Sequence, residues 1–542
     1  MRRLPGAAAV IATLLLVFSP LVAGLAGSGL RTSALALDAD ERRALLAHVE
    51  LAFVAAAIAL LLGAPFAILV AGTRSPLRKL FLALGTLTLA VPHYLAAEAL
   101  IDLAGPAGRL TRVIGAWIGA PVNAEHARLA VYRFAGAVYS APAAGLVIGA
   151  CLFPLVALAV ASADRRFDAR TREAARLARG KLGAALVAAR ALGPPALGGA
   201  ALVFALALTE FAVPQTLRVR TLGEDVFVRI EDGDRAGAAA FGLVLVACAL
   251  GAGILGALLL TRRRVASTAP LEGDVPRYEL RPSRPIVGTL AGLLAVLPGF
   301  VFPLASLGLQ ASAGAPGVAS SAGRFGVALA RAWQTCQGDA LRTVGAAAVA
   351  ATVALILAAA AGHALRNASR PGSLLVGAVA CGLAVPSPLV GLGLIVLWNH
   401  AATAWVYDGT AVVALGWLAR FLPVALLLAR TAFARVPTEL ESAAALMGHG
   451  SAERFGRVTL PLAAPGLVAG WLAFYVLAAT EFAATQVVYC PGKSLLAPAV
   501  VNLVHYGQDA MIASAGLILV GTVVLPLLPL SLLLLVRSTW RS

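Results

Sequence analysis

Two glutamates stand out because each lies in a long apolar stretch and in the same tetrapeptide. Thr-Glu-Phe-Ala occurs around Glu210 and again around Glu481. A carboxylate at membrane depth costs about 2.5–3.5 kcal/mol on insertion scales, so it rarely faces lipid. The residues alone leave two interpretations open. Either both glutamates line a pathway, where they pass a cation or pair within a gate, or each is bonded to a neighbouring helix, with Arg420 as the partner of Glu481.

Two Ala-rich, charged loops of similar length, 163–195 and 433–462, are the other candidate sites. In the second loop a helix-like segment precedes a glycine, which permits a left-handed exit that other residues disfavour. A later proline marks entry into the next helix, at a position where a missing amide costs little. We therefore expect a short amphipathic helix along the membrane surface. Its candidate residues are Glu441, Ser442, Ala443, Ala444, Gly448 and Pro461.

The first loop carries a similar pattern with departures. It has Glu173, Ala174 and Ala175, followed by Gly180. Arg190 occupies the place that Pro461 has in the second loop. The two loops are thus imperfect copies of one design.

The elements that position these residues are membrane helices. The chain has 542 residues, of which 60% are hydrophobic and only 13% charged. The apolar residues form runs long enough to cross a hydrocarbon core of about 30 Å. Backbone amides within lipid must be bonded inside their own segment, so these runs predict an all-α membrane protein. The predicted crossings are 7–30, 46–72, 80–101, 134–161, 196–216, 237–260, 285–309, 343–365, 373–398, 410–432, 463–489 and 511–536.

The chain repeats itself in two halves of six helices with the same orientation. Ala-Val-Pro recurs at Pro92 and Pro386 in the third helix of each half, and these prolines are expected to kink helices beside a pathway. Packing alone would explain the kinks equally well. The predicted domains are a first half at 1–261, a linker at 262–285 and a second half at 286–542.

Charge predicts the orientation. The chain has 43 Lys and Arg against 26 Asp and Glu. Most of the basic residues fall in segments that share a side with the linker and both candidate loops, which predicts that these segments and both termini are cytoplasmic. The net charge of +17 is therefore a topology signal, and no nucleic-acid partner is expected. The first helix is expected to be retained rather than cleaved.

The loops resemble the Glu-Ala-Ala loop of the permeases of binding-protein-dependent ABC importers. That pattern places a glycine six residues after the glutamate and Leu-Pro thirteen residues later, which Gly448 and Pro461 match, although Ser442 occupies the glutamate position beside Glu441. Thr480 to Thr485, with the flanking segments, is most similar to fused permeases of the ferric-iron and thiamine type. The resemblance implies a type I permease fold in a bacterial inner membrane.

The same resemblance implies the partners. Each loop would dock on one of two copies of a cytoplasmic ABC ATPase, and a periplasmic solute-binding protein would deliver the cargo, with ferric iron as the first choice. The chain would be a transport subunit and not an enzyme, with no cofactor of its own. It carries no Gly-rich phosphate loop that ends in Gly-Lys-Ser or Gly-Lys-Thr in a cytoplasmic segment.

One alternative from another class stays open. A secondary transporter driven by an ion gradient has the same count of six plus six helices. The long loops between the fourth and fifth helices favour the ABC permease. The scattered histidines and five cysteines predict neither a metal site nor a disulfide framework.

Overall fold

The computed structural model describes residues 4–30, 36–71, 77–118, 133–164, 169–261, 284–313, 320–367, 370–488, 492–506 and 509–526. Regular structure in these ranges is helical. The helices of the first part are α1 (Leu4–Ala26), α2 (Ala39–Pro65), α3 (Arg78–Thr88), α4 (His93–Ala104), α5 (Arg109–Ile118), α6 (Ala141–Asp164), α7 (Ala169–Ala207), α8 (Ala212–Thr216), α9 (Leu222–Glu231) and α10 (Arg235–Thr261).

The second part continues in the same way. Its helices are α11 (Arg284–Val296), α12 (Phe302–Ala313), α13 (Ser321–Ala364), α14 (Arg370–Cys381), α15 (Ser387–Trp398), α16 (Ala404–Tyr407), α17 (Thr410–Ala434), α18 (Thr438–Leu446), α19 (Ser451–Arg454), α20 (Leu460–Thr480), α21 (Ala483–Val487), α22 (Leu496–Tyr506) and α23 (Asp509–Val524). Wider π-helical turns follow α2, α11 and α19, at Phe66–Ala71, Leu297–Val301 and Phe455–Thr459.

Nine helices of the described residues are long and apolar enough to cross a membrane, and up to eleven crossings result if each of two bent helix pairs is one span. The predicted all-helical, multi-pass membrane class is therefore confirmed. The last predicted crossing, 511–536, is described only as far as α23, which is shorter than the other spans. The count of twelve crossings stays a prediction.

The third crossing of each predicted half is broken, which corrects the continuous helices expected over 80–101 and 373–398. α3 and α4 bend by 99°, and so do α14 and α15. Pro92 and Pro386 stand immediately before α4 and α15 in extended conformations, with ψ of 127° and 140°. A proline also pushes the residue before it out of the helical region, so the preceding helix ends there.

The fifth crossings also end earlier than the helices predicted over 196–216 and 463–489. α7 ends at Ala207 and α20 ends at Thr480. Glu210 and Glu481 therefore lie in the irregular breaks that precede the short helices α8 and α21. Both glutamates were expected inside a helix, and the structure corrects this.

Contacts divide the chain into two compact units, each of which is discontinuous in sequence. One unit comprises 1–36, 226–243 and 311–542, and the other comprises 37–225 and 244–310. The first helix of each predicted half therefore belongs to the unit that contains most of the other half. The predicted boundaries at 261 and 286, which concern the sequence repeat, remain a prediction.

Close backbone approach holds α1 in its unit. A Cβ at Gly393 of α15 would lie 1.8 Å from the carbonyl oxygen of Pro20, so only glycine allows these helices to meet as they do. In the other unit, α11 approaches α3 in the same manner, since a Cβ at Gly292 would lie 2.6 Å from the ring of Phe81.

α13 is much longer than the crossing predicted over 343–365. The helix has 44 residues, which at 1.5 Å per residue gives about 66 Å, roughly twice the thickness of a hydrocarbon core. Ser320 caps its N-terminus, since the Ser320 side chain accepts a hydrogen bond from the amide of Gly323. About half of α13 therefore lies beyond the apolar segment that the sequence predicted.

Candidate functional site

The second candidate loop contains a defined surface helix, α18. Pro437 precedes it, and Glu439 and Glu441 occupy its first turn, where negative charge is favourable because backbone amides point that way. Its end is a Schellman motif. The amide of Gly448 donates to Ala445 and the amide of His449 donates to Ala444, both at 3.1 Å.

Gly448 makes this exit with a φ of 86°, the left-handed conformation expected from the sequence. Pro461 lies in the first turn of α20, directly after the π-helical turn at Phe455–Thr459. The loop thus forms a short helix, a sharp turn and a re-entry into the next long helix.

Glu441 does not point away from the protein. Its two carboxylate oxygens accept hydrogen bonds of 2.5 and 2.6 Å from the guanidinium of Arg366, and the hydroxyl of Thr459 donates a third of 2.7 Å. Only 16% of the Arg366 side chain and 18% of the Glu441 side chain is exposed. The bidentate bond from Arg366 lowers the pKa of Glu441 to about 2.

Aromatic packing closes this junction from the side. The ring of His363 lies edge-on to Phe433 at 5.1 Å and to Phe455 at 4.9 Å between centroids. The guanidinium of Arg430 also donates to the carbonyl of Leu365 at 3.1 Å. The ends of α13 and α17 and the turn before α20 therefore meet beneath α18.

The outer face of α18 is exposed and partly apolar. Ala444 is buried, whereas Ser442 and Ala443 are exposed. Leu446 is 90% exposed and Met447 is 73% exposed, although both side chains are large and apolar. Exposed apolar side chains grouped on one surface are typical of a contact with another protein or with a membrane.

The first candidate loop is folded as part of α7. Gly180 breaks this helix with a φ of 65°, again left-handed, so the segment before it forms a separate helical piece. Glu173 and Ala174 lie in that piece, and the side chain of Glu173 falls outside the described residues. Leu177 and Leu182, on either side of the break, are 79% and 75% exposed. Both loops therefore present exposed leucines beside a left-handed glycine.

Glu481 is buried and fully bonded where α20 ends. Its carboxylate accepts hydrogen bonds from the amides of Ala484 (2.8 Å) and Thr485 (3.0 Å) and from the hydroxyl of Thr485 (2.7 Å). The indole of Trp417 donates to the same hydroxyl at 3.2 Å. Glu481 thus caps α21, which offsets the cost of burying a carboxylate.

Glu210 has the matching position with different partners. One carboxylate oxygen accepts from the amide of Ala212 at 3.2 Å, and the other lies 3.2 Å from Nδ1 of His93. Its side chain is 20% exposed. A histidine therefore contacts the acid here, whereas a threonine hydroxyl does so at Glu481.

The other predicted pathway residues lie at the helix breaks. The guanidinium of Arg420 donates to the carbonyl of Val385, beside Pro386, at 3.0 Å. Arg420 therefore supports the end of the helix that Pro386 interrupts. The hydrogen bonds shown at Glu481 come from its own capped helix and not from Arg420, which differs from the partnership that the sequence suggested.

Two equivalent hydrogen bonds, one in each compact unit, were not predicted from the sequence. The amide of Leu496 donates to the hydroxyl of Thr343 at 2.8 Å, within one compact unit. In the other unit the amide of Gly223 donates to Nδ1 of His48 at 3.4 Å. In each case the first turn of a helix after the broken fifth crossing, α9 or α22, is tied to the second long helix of the predicted half, α2 or α13, and no motif in the sequence marks the acceptor.

No group of three or more His, Cys, Asp or Glu residues within the described parts of the chain is placed to hold a metal ion. Cys336 lies within α13, where its side chain is buried. Cys490 lies outside the described residues.

Comparisons with known proteins point to a class of transport protein. No protein-family model matches the chain. It is 26% identical over 188 residues to the trehalose transport system permease protein SugB of Mycobacterium tuberculosis, over 34% of this chain and 66% of SugB. It is 29% identical over 150 residues to the putative 2-aminoethylphosphonate transport system permease protein PhnV of Salmonella paratyphi A, over 27% of this chain and 55% of PhnV.

PhnV of Salmonella typhimurium matches to the same extent. The chain thus spans between about half and two thirds of the length of these relatives. The chain has distant, partial homology to the permeases of binding-protein-dependent ABC transporters.

Proposed function

We propose that the chain is the permease subunit of a binding-protein-dependent ABC importer, with two permease halves fused in one polypeptide. The observation that carries the proposal is the pair of surface loops described above. Each has a short helix that ends at a glycine with positive φ, Gly180 or Gly448, and each exposes large apolar side chains beside it. Distant homology to transport permeases supports the same function.

In this proposal the two loops lie in the cytoplasm of a bacterial cell, and each docks on one copy of an ABC ATPase. Leu446 and Met447 would enter the contact at the second loop. A solute-binding protein would dock on the opposite, periplasmic side. Hydrolysis of ATP would take place in the ATPase, and this chain would supply the pathway.

The cargo is proposed only as a small solute. Ferric iron rests on the resemblance of the Thr480 to Thr485 segment alone, while the relatives are named for trehalose and 2-aminoethylphosphonate. Glu210, Glu481 and Arg420, with the breaks at Pro92 and Pro386, are the proposed neighbours of the pathway, because discontinuous helices often border transport sites.

Copurification tests the proposal. The chain is tagged and purified in mild detergent from the membranes of its own cells, so that any bound subunit is retained. We expect an ABC ATPase to copurify and Leu446→Asp to reduce its yield. Trp405→Asp is the control, since Trp405 is also large and 80% exposed but lies in a loop predicted on the other side. Absence of an ATPase, or equal yields from the two variants, would refute the docking role.

Orientation is tested separately. Single cysteines are placed at Glu173 and Ser442 in a cysteine-free background, and intact and opened membranes are treated with an impermeant thiol reagent. We expect both positions to react only after the membrane is opened. Reaction of the two positions from opposite sides would contradict two loops on one surface.

A further inference from the structure

α13 is bonded at two places about a membrane thickness apart. From Thr343 to Ala364 the helix rises by about 32 Å at 1.5 Å per residue, close to the roughly 30 Å of a hydrocarbon core. All the residues concerned belong to one compact unit. One end of this segment contacts the loop before α22, and the other end contacts α18, so α13 connects these two regions.

At the Thr343 end, the helix holds the loop that leads into α22. The amide of Leu496 donates to the hydroxyl of Thr343 at 2.8 Å, and this contact is buried. The guanidinium of Arg342 donates to the carbonyl of Ser494 at 3.0 Å, and it is oriented by Asp339 one turn earlier. Two successive residues of α13 thus hold both a backbone donor and a backbone acceptor of that loop.

At the other end, the residue that follows the helix holds α18. Arg366 lies just beyond Ala364 and binds both oxygens of Glu441. The Thr459 hydroxyl binds one of those oxygens as well, so the loop before α20 shares the junction. A bidentate arginine–carboxylate pair fixes both distance and orientation, which a single hydrogen bond does not.

Glu441 stands one position before Ser442, where the loop pattern has its glutamate. Ser442 is exposed, and its hydroxyl donates to the carbonyl of Thr438 within α18. The carboxylate of Glu441 therefore binds Arg366 of the same chain, and the exposed position 442 carries no charge. The ion pair thus attaches α18 to the rest of the protein.

We propose that Arg366 is a positioning residue that locks α18 to α13, so that a displacement of α18 moves α13 and the 494–496 loop as one rigid body. This inference rests on the proposed function for its biological meaning, since the ATPase would be what displaces α18. Arg366 would then pass movement from the ATPase surface to the far side of the membrane without touching either partner.

Distances between spin labels test the proposal. All five cysteines are replaced, and labels are placed at Val349 and Leu446, which are 64% and 90% exposed, or at Leu446 and Asn502, which is also exposed. Double electron–electron resonance is measured on the chain in lipid nanodiscs. For both pairs we expect one narrow distance in the chain with Arg366 intact.

Variants separate the two ends of α13. Arg366→Ala should broaden both distances, whereas Arg342→Ala combined with Thr343→Val should broaden only the pair that includes Asn502. Exchange of the charges, Arg366→Glu with Glu441→Arg, should restore a narrow distance. Arg435→Ala is the matched control, because Arg435 is an exposed arginine near the same junction that does not bind Glu441.

A narrow Val349–Leu446 distance in Arg366→Ala, or no restoration by the charge exchange, would overturn the proposal. Where an ATPase copurifies, trapping the complex with ATP and vanadate should leave both distances of the unmutated protein unchanged, and a shift would also overturn rigid-body movement. If no ATPase copurifies, the proposed function fails, but the width comparison in nanodiscs still decides whether Arg366 locks α18.

Discussion

The hydroxyl of Thr485 donates a 2.7 Å hydrogen bond to the carboxylate of Glu481, and both residues are buried beyond the end of α20. Two backbone amides complete the coordination of the same carboxylate. A carboxylate in an apolar protein is tolerated when donors surround it, and Glu481 meets this condition through its own short helix.

Replacement of Glu481 by Gln should therefore destabilise the protein. The amide has one acceptor oxygen in place of two, so at least one buried donor loses its partner, at a cost of about 1–3 kcal/mol. Glu210→Gln should cost less, because the hydrogen bond that Glu210 accepts from the amide of Ala212 is longer, at 3.2 Å, and the Glu210 side chain is 20% exposed. Unfolding in mixed micelles would measure both variants. Equal losses would contradict the capping role assigned to Glu481.

Gly448→Ala should weaken α18 through the backbone alone. A Cβ at Gly448 would meet no atom within 4 Å, so the cost comes from its φ of 86° and not from crowding. Side chains in the left-handed region cost about 1–2 kcal/mol. Hydrogen exchange of the 438–447 amides should therefore become faster. Gly456→Ala is the control. Gly456 is also exposed and a Cβ there would meet no atom within 4 Å, but its φ is not positive.

Thr343→Val should expose the amide of Leu496 to exchange. The valine keeps the shape of the side chain but removes the acceptor of a buried 2.8 Å hydrogen bond. An unpaired buried donor costs about 1–3 kcal/mol. Thr431→Val provides the comparison, because Thr431 is exposed and its hydroxyl bonds within its own helix. If both variants leave Leu496 equally protected, the tie between the loop and α13 is unimportant.

Acid should not release α18 in the physiological range. The pKa of Glu441 falls from its ordinary 4.5 to about 2 because Arg366 binds the carboxylate. A depressed pKa contributes stability that is fully present above pH 4.5 and is lost as the pH falls towards 2. The mobility of a spin label at Leu446 should therefore be constant from pH 8 to pH 5. Glu441→Gln should raise that mobility at every pH, and a rise in the unmutated chain above pH 5 would contradict the bond.

The sequence predicted the helical class and the left-handed glycines because both depend on local chemistry. Apolar runs require helices in lipid, and a glycine after an Ala-rich helix permits one kind of exit. The partners of Glu441 and Glu481 could not be predicted in this way. Arg366 lies 75 positions from Glu441, and no pattern marks it. One of the two interpretations paired Glu481 with Arg420, yet its carboxylate accepts hydrogen bonds from amides three and four residues away.

The helix breaks were missed for a similar reason. The residues on both sides of Pro92 and Pro386 are apolar, so the hydropathy of the sequence does not reveal the bend. The prolines predicted a kink, whereas the structure has a turn of 99° at each. The assignment of α1 to residues 311–542 likewise has no sequence signal, since an apolar helix packs on any complementary face.

The place of α1 has a consequence for biosynthesis. This helix is translated before residues 311–542, which complete most of its compact unit. The close contact between α1 and Gly393 of α15 can form only after most of the chain has been inserted. Until α15 has been inserted, α1 lies in the lipid without this partner helix. The compact unit that contains α1 therefore assembles late, and the early part of the polypeptide does not complete it alone.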